Sequence, residues 1–242
     1  MGKGEVWKGR AIVSTNIIIR RFTAVLDRLI PARCLLCDAP GDGMDLCMAC
    51  LADMGANHHA CRRCGLPVPP SLSLCSGCVR QPPPWSGAWV PFRYAWPLDL
   101  LEARFKFHGD LACGRVLAWM WCAAEPPPQL PDAIVPVPLH RSRLRTRGYN
   151  QALELARPLA RHLGLPLVPC LGRSRRTVAQ TELDAQARRG NLRDAFSVAG
   201  PVPAHVAVLD DVMTTGATME ACTRALLAAG ATTVDAWALA RA

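Results

Sequence analysis

At 242 residues, half of them hydrophobic, the chain has room for one medium domain and a small appendage. The longest apolar run near mid-chain, residues 116–124, is too short to cross a bilayer, and the N-terminal stretch 11–22 carries polar breaks and no small-residue cleavage site, so the sequence predicts neither a transmembrane segment nor a signal peptide and points to the cytoplasm. The net charge of +9 is nearly all arginine, the only lysines being Lys3, Lys8 and Lys106; this favours anionic partners such as nucleic acid or phosphorylated small molecules, although a GC-rich genome writes the same bias.

Residues 1–31 read as a leader, with Phe22, Val25, Leu26, Leu29 and Ile30 at helical spacing and Pro31 as a stop. Residues 32–80 hold four Cys-x-x-Cys pairs: Cys34/Cys37, Cys47/Cys50, Cys61/Cys64 and Cys75/Cys78. Two thiolates at this spacing grip a metal from one tight turn, and two such turns complete a tetrahedral site. Eight cysteines therefore predict two structural zinc ions in a double zinc ribbon. Few large apolar residues fall here, so metal must supply the stability that a core cannot. A disulfide framework needs an oxidising compartment, and nothing in the chain sends it there. Sequential sites (34/37/47/50, then 61/64/75/78) require only short loops; a cross-braced pairing is the alternative. His58 and His59 adjoin the module, but eight cysteines suffice. Cys113, Cys122, Cys170 and Cys222 lie in apolar or helical contexts and read as packing residues.

A stiff Pro-rich connector, residues 80–85, leads into a third segment, 86–242. It opens with a strand over 87–96, then helices over 98–107 and 110–124, the second broken by the prolines of 125–131. Alternation follows: a strand at 133–138, a helix at 149–164, strands at 165–171 and 204–211, a helix at 218–230 ended by Gly230, and a strand at 232–240. The 149–164 helix places Leu153, Ala156, Leu159, Ala160 and Leu163 on one face, with Pro158 as a kink. Strand–helix alternation predicts an α/β fold, a parallel sheet flanked by helices.

The string VAVLDDVMTTGAT, residues 206–218, brings Asp210 and Asp211 to a strand end and follows them with a hydroxyl-rich turn into a helix. Carboxylates there suit sugar hydroxyls; a Gly-containing turn at a helix N-terminus suits phosphate. No Gly-x-x-x-x-Gly-Lys loop or Gly-x-Gly-x-x-Gly accompanies them, which disfavours a nucleoside triphosphate. The string resembles the signature of type I phosphoribosyltransferases, which bind phosphoribosyl pyrophosphate (PRPP) with Mg²⁺. The resemblance implies that Asp210 and Asp211 take the ribose and that Thr214, Thr215, Gly216, Ala217 and Thr218 take its phosphate. Arg141, Arg143, Arg145 and Arg147 recur at period two in LHRSRLRTRGYNQ, sharing a face as a strand or clustering as a loop. In the phosphoribosyltransferase fold this segment contacts pyrophosphate, which makes Arg143, Arg147 and Gly148 candidates, with Asn150 and Gln151 positioning the loop or ligand and His140 beside them. Arg173, Arg175, Arg176, Arg188, Arg189 and Arg193 fall where that fold carries a mobile flap.

The order of cysteine module, FKFHGD, VPVPLHRSRLRTRGYNQA, QTELDAQARRGNLRDAF and the PRPP string is similar to the ComF family from about residue 25 onward. Gln180 and Asn191 match it within the flap. Phe107 and Tyr149 swap one aromatic ring for another relative to that pattern, and Ala187 stands where an acidic residue is expected. The resemblance implies a role in natural transformation: a PRPP-binding protein that handles single-stranded DNA alongside DNA-uptake machinery proteins. Two other functions fit the same residues: a metabolic phosphoribosyltransferase with a nucleobase or amine acceptor, and a PRPP sensor whose ribbons contact a protein partner. Lys106 and His108, in FKFHG, are within reach of an anion but their spacing is not diagnostic.

Overall fold

In this computed structural model residues 32–41, 43–173 and 195–242 are described. They divide into two compact units, the first ending at Met48 and the second beginning at Ala49. The helix expected over 22–30 lies outside the described residues, as do Arg175, Arg176, Gln180, Ala187, Arg188, Arg189, Asn191 and Arg193.

In the first unit the chain turns tightly at Cys34. Arg33 and Pro40 form an antiparallel bridge. The Cys34 N–H donates to the Ala39 carbonyl at 2.8 Å, and the Asp38 N–H to the Cys34 carbonyl at 2.9 Å. Asp38 closes the turn at φ 61°, a left-handed conformation that aspartate tolerates better than most residues.

Among the described residues the second unit contains seven strands: β1 (Ala88–Trp89), β2 (Phe92–Arg93), β3 (Ala133–Pro136), β4 (Leu171–Arg173), β5 (Phe196–Val198), β6 (His205–Met213) and β7 (Thr233–Arg241). Five of them form one parallel sheet in the order β1-β7-β6-β3, with β2 also on β7. β4 and β5 make a separate antiparallel pair. All four residues of β3 are buried, as are Val206–Leu209 and Ala236–Ala240, the continuous apolar run of a sheet covered on both faces. Trp237 meets Trp89 edge-on at 4.9 Å between ring centroids, and Trp89 lies 5.8 Å from Trp121.

Two expected strands differ. The 87–96 strand is split into β1 and β2, since Pro91 between them has no N–H for the ladder. Residues 165–170 contribute a single bridge, Leu167 to Ile134, because Pro166 and Pro169 flank it without donors; Leu171 already belongs to β4.

Besides two five-residue helices at Met48–Ala52 and Ser76–Arg80, the helices among the described residues are α1 (Leu98–Phe107), α2 (Leu111–Ala123), α3 (Arg141–Arg147), α4 (Gln151–Leu163) and α5 (Ala217–Ala228). Asp110 caps α2, its Oδ1 accepting from Ala112 N–H at 3.1 Å and Cys113 N–H at 3.3 Å. α4 continues through Pro158 and packs on β3, β6 and α2. Its buried stripe is Ala152, Leu155, Ala156, Leu159 and Ala160; Leu153 and Leu163, expected on that face, sit half-buried at its margins. α5 packs on β6 and β7.

Candidate functional site

From β3 the chain crosses through α4 to Leu167, outside β3; from β6 it crosses through α5 to β7, on the other side. Strand order therefore reverses between β3 and β6. Open parallel sheets bind ligands at such a switch point, beyond the carboxyl ends of the strands. β3 ends at Pro136, opposite Leu209, while β6 stays paired with β7 as far as Met213. Asp210 and Asp211 are thus not at the tip of their strand, as the string suggests. They stand where β6 loses its β3 neighbour, which opens that flank.

The two aspartates are not equivalent. Asp210 is half-buried and Asp211 is 6% exposed. The Asp211 Oδ2 lies 3.0 Å from Lys106 Nζ, and the same ammonium lies 3.0 Å from Glu102 Oε1. Glu102 and Lys106 are four residues apart on α1, so one helix face delivers both. Burial pushes Asp211 up, but Lys106 and hydrogen bonding with Glu102 outweigh it and hold the carboxyl low. Burial, then the Asp211 charge, raise Glu102 to about 7 against the pull of Lys106. Burial works against the Lys106 charge, yet Asp211 and Glu102 keep it firmly protonated. Asp210 is pushed well up by burial and by Asp211 beside it.

Each residue of FKFHGD has a place. Phe105 is in the core and stacks on Tyr149 at 5.2 Å, while the Tyr149 hydroxyl donates to the Phe105 carbonyl. Lys106 faces the acidic pair. Phe107 is 70% exposed, with the Arg147 guanidinium 5.5 Å from its ring. His108 ends α1, Gly109 turns the chain at φ 70°, and Asp110 caps α2 while bonding Arg104 at 2.7 Å. Lys106 and Glu102 are the members of the site that motif reading undervalued; their i,i+4 spacing beside two aromatic residues was the available signal.

Beyond β6 the turn exposes Thr214 and Thr215. Gly216 adopts φ 80° as the N-cap of α5, and a Cβ there would lie 3.2 Å from the Trp85 ring. The first-turn amides of α5, from Ala217 and Thr218 onward, have no carbonyl four residues back within the helix. Thr215 Oγ1 accepts weakly from Ala217 N–H at 3.4 Å.

The arginine segment is neither strand nor loop. It is the short helix α3, capped by His140, whose Nδ1 accepts from Ser142 N–H at 3.2 Å, and closed by Gly148 at φ 85°. Period two therefore does not give one face. Arg143 and Arg147, four apart, share one; Arg145 does not. Burial lowers the Arg147 pKa, while the charges of Asp211 and Glu102 oppose the shift, so its guanidinium lies in the field of the acidic cluster. Arg173, expected in the flap, belongs to β4; its guanidinium sits 5.3 Å from the Phe196 ring. Burial and Arg143 lower its pKa, and Asp210 is among the charges opposing them. Asn150 Nδ2 donates to the Val137 carbonyl at 3.0 Å, which fixes the loop after β3. Gln151 is 1% exposed, in the first turn of α4. Lys106 thus holds Asp211, while the Arg147 charge is felt with that of Asp211 and the Arg173 charge with that of Asp210.

The cysteines gather into two sets, Cys34/Cys37/Cys47/Cys50 and Cys61/Cys64/Cys75/Cys78, with all sulfurs of a set within 4.8 Å of one another. Cys37 and Cys47 Sγ are 3.6 Å apart, as are those of Cys64 and Cys75. Zinc–sulfur bonds of about 2.3 Å in a tetrahedron put sulfurs about 3.8 Å apart, so each set fits a structural zinc ion. Both sets are sequential. Burial raises the Cys34 thiol, but N–H donors from Cys47, Leu36 and Cys37 outweigh it and bring it to about 6; Cys61 falls to about 7 in the same way. In these two the donors favour thiolate, the form that binds metal, whereas burial pushes Cys64 up to about 11 and raises Cys78 as well. Among the described residues no helix is long and apolar enough to cross a membrane.

A double zinc ribbon domain is matched over residues 25–87. Over 222 residues, 88% of this chain and 98% of the relative, the chain is 35% identical to the DNA utilization protein YhgH of Escherichia coli O157:H7. Identity to the protein of the same name from Salmonella typhimurium is 36% over the same span. Competence protein F of Haemophilus influenzae is 36% identical over 208 residues, 81% of this chain and 90% of that protein. The chain belongs to the ComF family.

Proposed function

We propose that this chain binds PRPP with Mg²⁺ at the β3/β6 switch point and serves the handling of single-stranded DNA in natural transformation, in the cytoplasm, alongside DNA-uptake proteins. One observation carries the ligand: a half-buried Asp210 stands on the flank that β3 leaves open, on the end of β6 that leads into the Gly216 turn and the α5 N-terminus, with Lys106 bound to Asp211 beside it. Asp211 is engaged by Lys106, which leaves Asp210 as the carboxyl that meets ribose hydroxyls. Thr214, Thr215, Gly216, Ala217 and Thr218 offer hydroxyls and first-turn amides to the phosphate, where the helix dipole favours negative charge. Arg143, Arg147 and Gly148 serve the pyrophosphate, with Asn150 holding their loop. Mg²⁺, when bound, supplies further charge neutralisation there. The reading of DNA handling rests on the names of the relatives, a DNA utilization protein in E. coli and a competence protein in H. influenzae. The exposed Phe107 ring beside Arg147 is a stacking platform next to positive charge, which single strands use.

Calorimetric titration of PRPP with Mg²⁺ into wild type and Asp210→Asn tests the ligand. Binding to wild type that weakens about tenfold or more in the variant is expected, since a carboxyl oxygen that accepts from the ribose hydroxyls is lost. Equal binding by both proteins, or none by wild type, overturns the assignment.

A further inference from the structure

We infer that the Cys61/Cys64/Cys75/Cys78 site is a positioning device for the Thr214–Thr218 turn, acting through Arg241 and Trp85. The inference deepens the PRPP reading and rests on it for the ligand alone.

Four consecutive carbonyls on the first knuckle of this site are taken by the body of the second unit. Arg62 O accepts from Ala88 N–H at 2.8 Å. Arg63 O accepts from the Trp85 indole N–H. Cys64 O accepts from Arg241 Nε at 3.0 Å, and Gly65 O from Asn57 Nδ2 at 2.8 Å. Arg63 answers Trp85 in turn, its Nη1 donating to the Trp85 carbonyl at 2.6 Å. Gly65 comes so close to β1's continuation that a Cβ on it would lie 2.7 Å from Val90.

Two of these donors also hold the turn. Arg241 Nη1 donates to the Met213 carbonyl at 2.8 Å and to the Thr214 carbonyl. The Trp85 ring lies against Gly216, within 3.2 Å of where its Cβ would be. A single guanidinium and a single indole therefore span from the knuckle to the start and the middle of the turn. The knuckle keeps its shape only while its sulfurs share a metal. If it relaxes, the carbonyls of Arg63 and Cys64 move and both side chains lose an anchor. A turn that must present amides and hydroxyls to a phosphate tolerates little displacement. Arg241 and Trp85 are positioning residues, since neither needs to touch the ligand.

Hydrogen exchange followed by mass spectrometry decides the matter on full-length zinc-loaded protein, with zinc content measured on each variant. Arg241→Met, and the milder Trp85→Phe, which keeps a ring under Gly216 but removes the indole donor, are compared with Cys75→Ser. All three are expected to speed exchange in residues 213–218 while leaving 206–209 protected, with both zinc ions retained in the first two variants and one lost in the third. PRPP affinity falls about tenfold in Arg241→Met. Unchanged exchange in 213–218 after loss of the second zinc, or in Trp85→Phe, overturns the inference. If wild type fails to bind PRPP, the ligand assignment falls, and the exchange result still decides the coupling.

Discussion

Lys106 links two buried carboxyls of the site. Its ammonium sits between Glu102, 1% exposed, and Asp211, 6% exposed, both within 3.0 Å. Removing one member of a buried ion cluster leaves the others uncompensated, which costs about 3 kcal/mol or more. Lys106→Met is expected to lower stability by that amount in urea unfolding at neutral pH, and Lys106→Met/Glu102→Gln to recover part of it. The pH dependence follows from the shifts. Glu102 holds its proton more tightly in the fold than its ordinary value of 4.5, up to about 7. Between those values the folded state binds more protons than the unfolded chain, so this group's stabilisation is full below that window and lost as pH rises through 7. Asp211, held low chiefly by Lys106 against burial, behaves oppositely: its stabilisation is present above 3.8 and lost as pH falls below it. The Lys106→Met deficit should therefore narrow at pH 5, where Glu102 is protonated. A deficit that does not change between pH 7 and 5 would show that Glu102 does not titrate there.

Among the elements, the β6–α5 turn is constrained in both backbone and space. Gly216 combines φ 80°, which strains any side-chain-bearing residue, with a ring 3.2 Å from its would-be Cβ, so a side chain there would also press on Trp85. Gly216→Ala is expected to cost about 1–2 kcal/mol and to weaken PRPP binding more than it weakens folding. An alanine variant with wild-type unfolding midpoint and affinity would contradict the turn as described. The arginine segment shows a different lesson. Its period-two spacing reads equally as strand or loop, but His140 offers an N-cap and Gly148 a left-handed stop. Those two flanking residues set a helix, and the helix decides which arginines, Arg143 and Arg147, point together.

For the whole molecule, net charge and exposed aromatic rings bear on DNA. Aromatic residues are sparse among the cysteines, but Phe107, at 70% exposure, stands beside Arg147 in the second unit. Stacking on an exposed ring contributes about 1–3 kcal/mol per base, and phosphate contacts by arginine release counterions. Fluorescence anisotropy with labelled oligo-dT should show affinity falling steeply with salt. Phe107→Ala should weaken it about fivefold or more without altering the salt slope, and Arg143→Ala should make the slope shallower. Salt-independent binding would remove phosphate contact from the account.

The chain's local chemistry was legible in order of how little it depends on distant partners. Cys-x-x-Cys spacing defines a ligand pair within one turn, so both metal sets could be read from the sequence, although their sequential pairing needed the fold. Strand–helix alternation likewise yielded the parallel sheet, since each element's apolar pattern is local. The prolines at 91, 166 and 169 limited strand length in ways visible only once ladder partners were known. The acidic pair was evident as a string. That Asp211 is bound to Lys106, more than a hundred residues away, and that Asp210 is left open, depended on where β3 stops and on which face of α1 meets β6. Arg241 and Trp85 carry no motif at all. Their roles arise from backbone carbonyls brought close by folding, and a carbonyl leaves no mark in an amino-acid sequence.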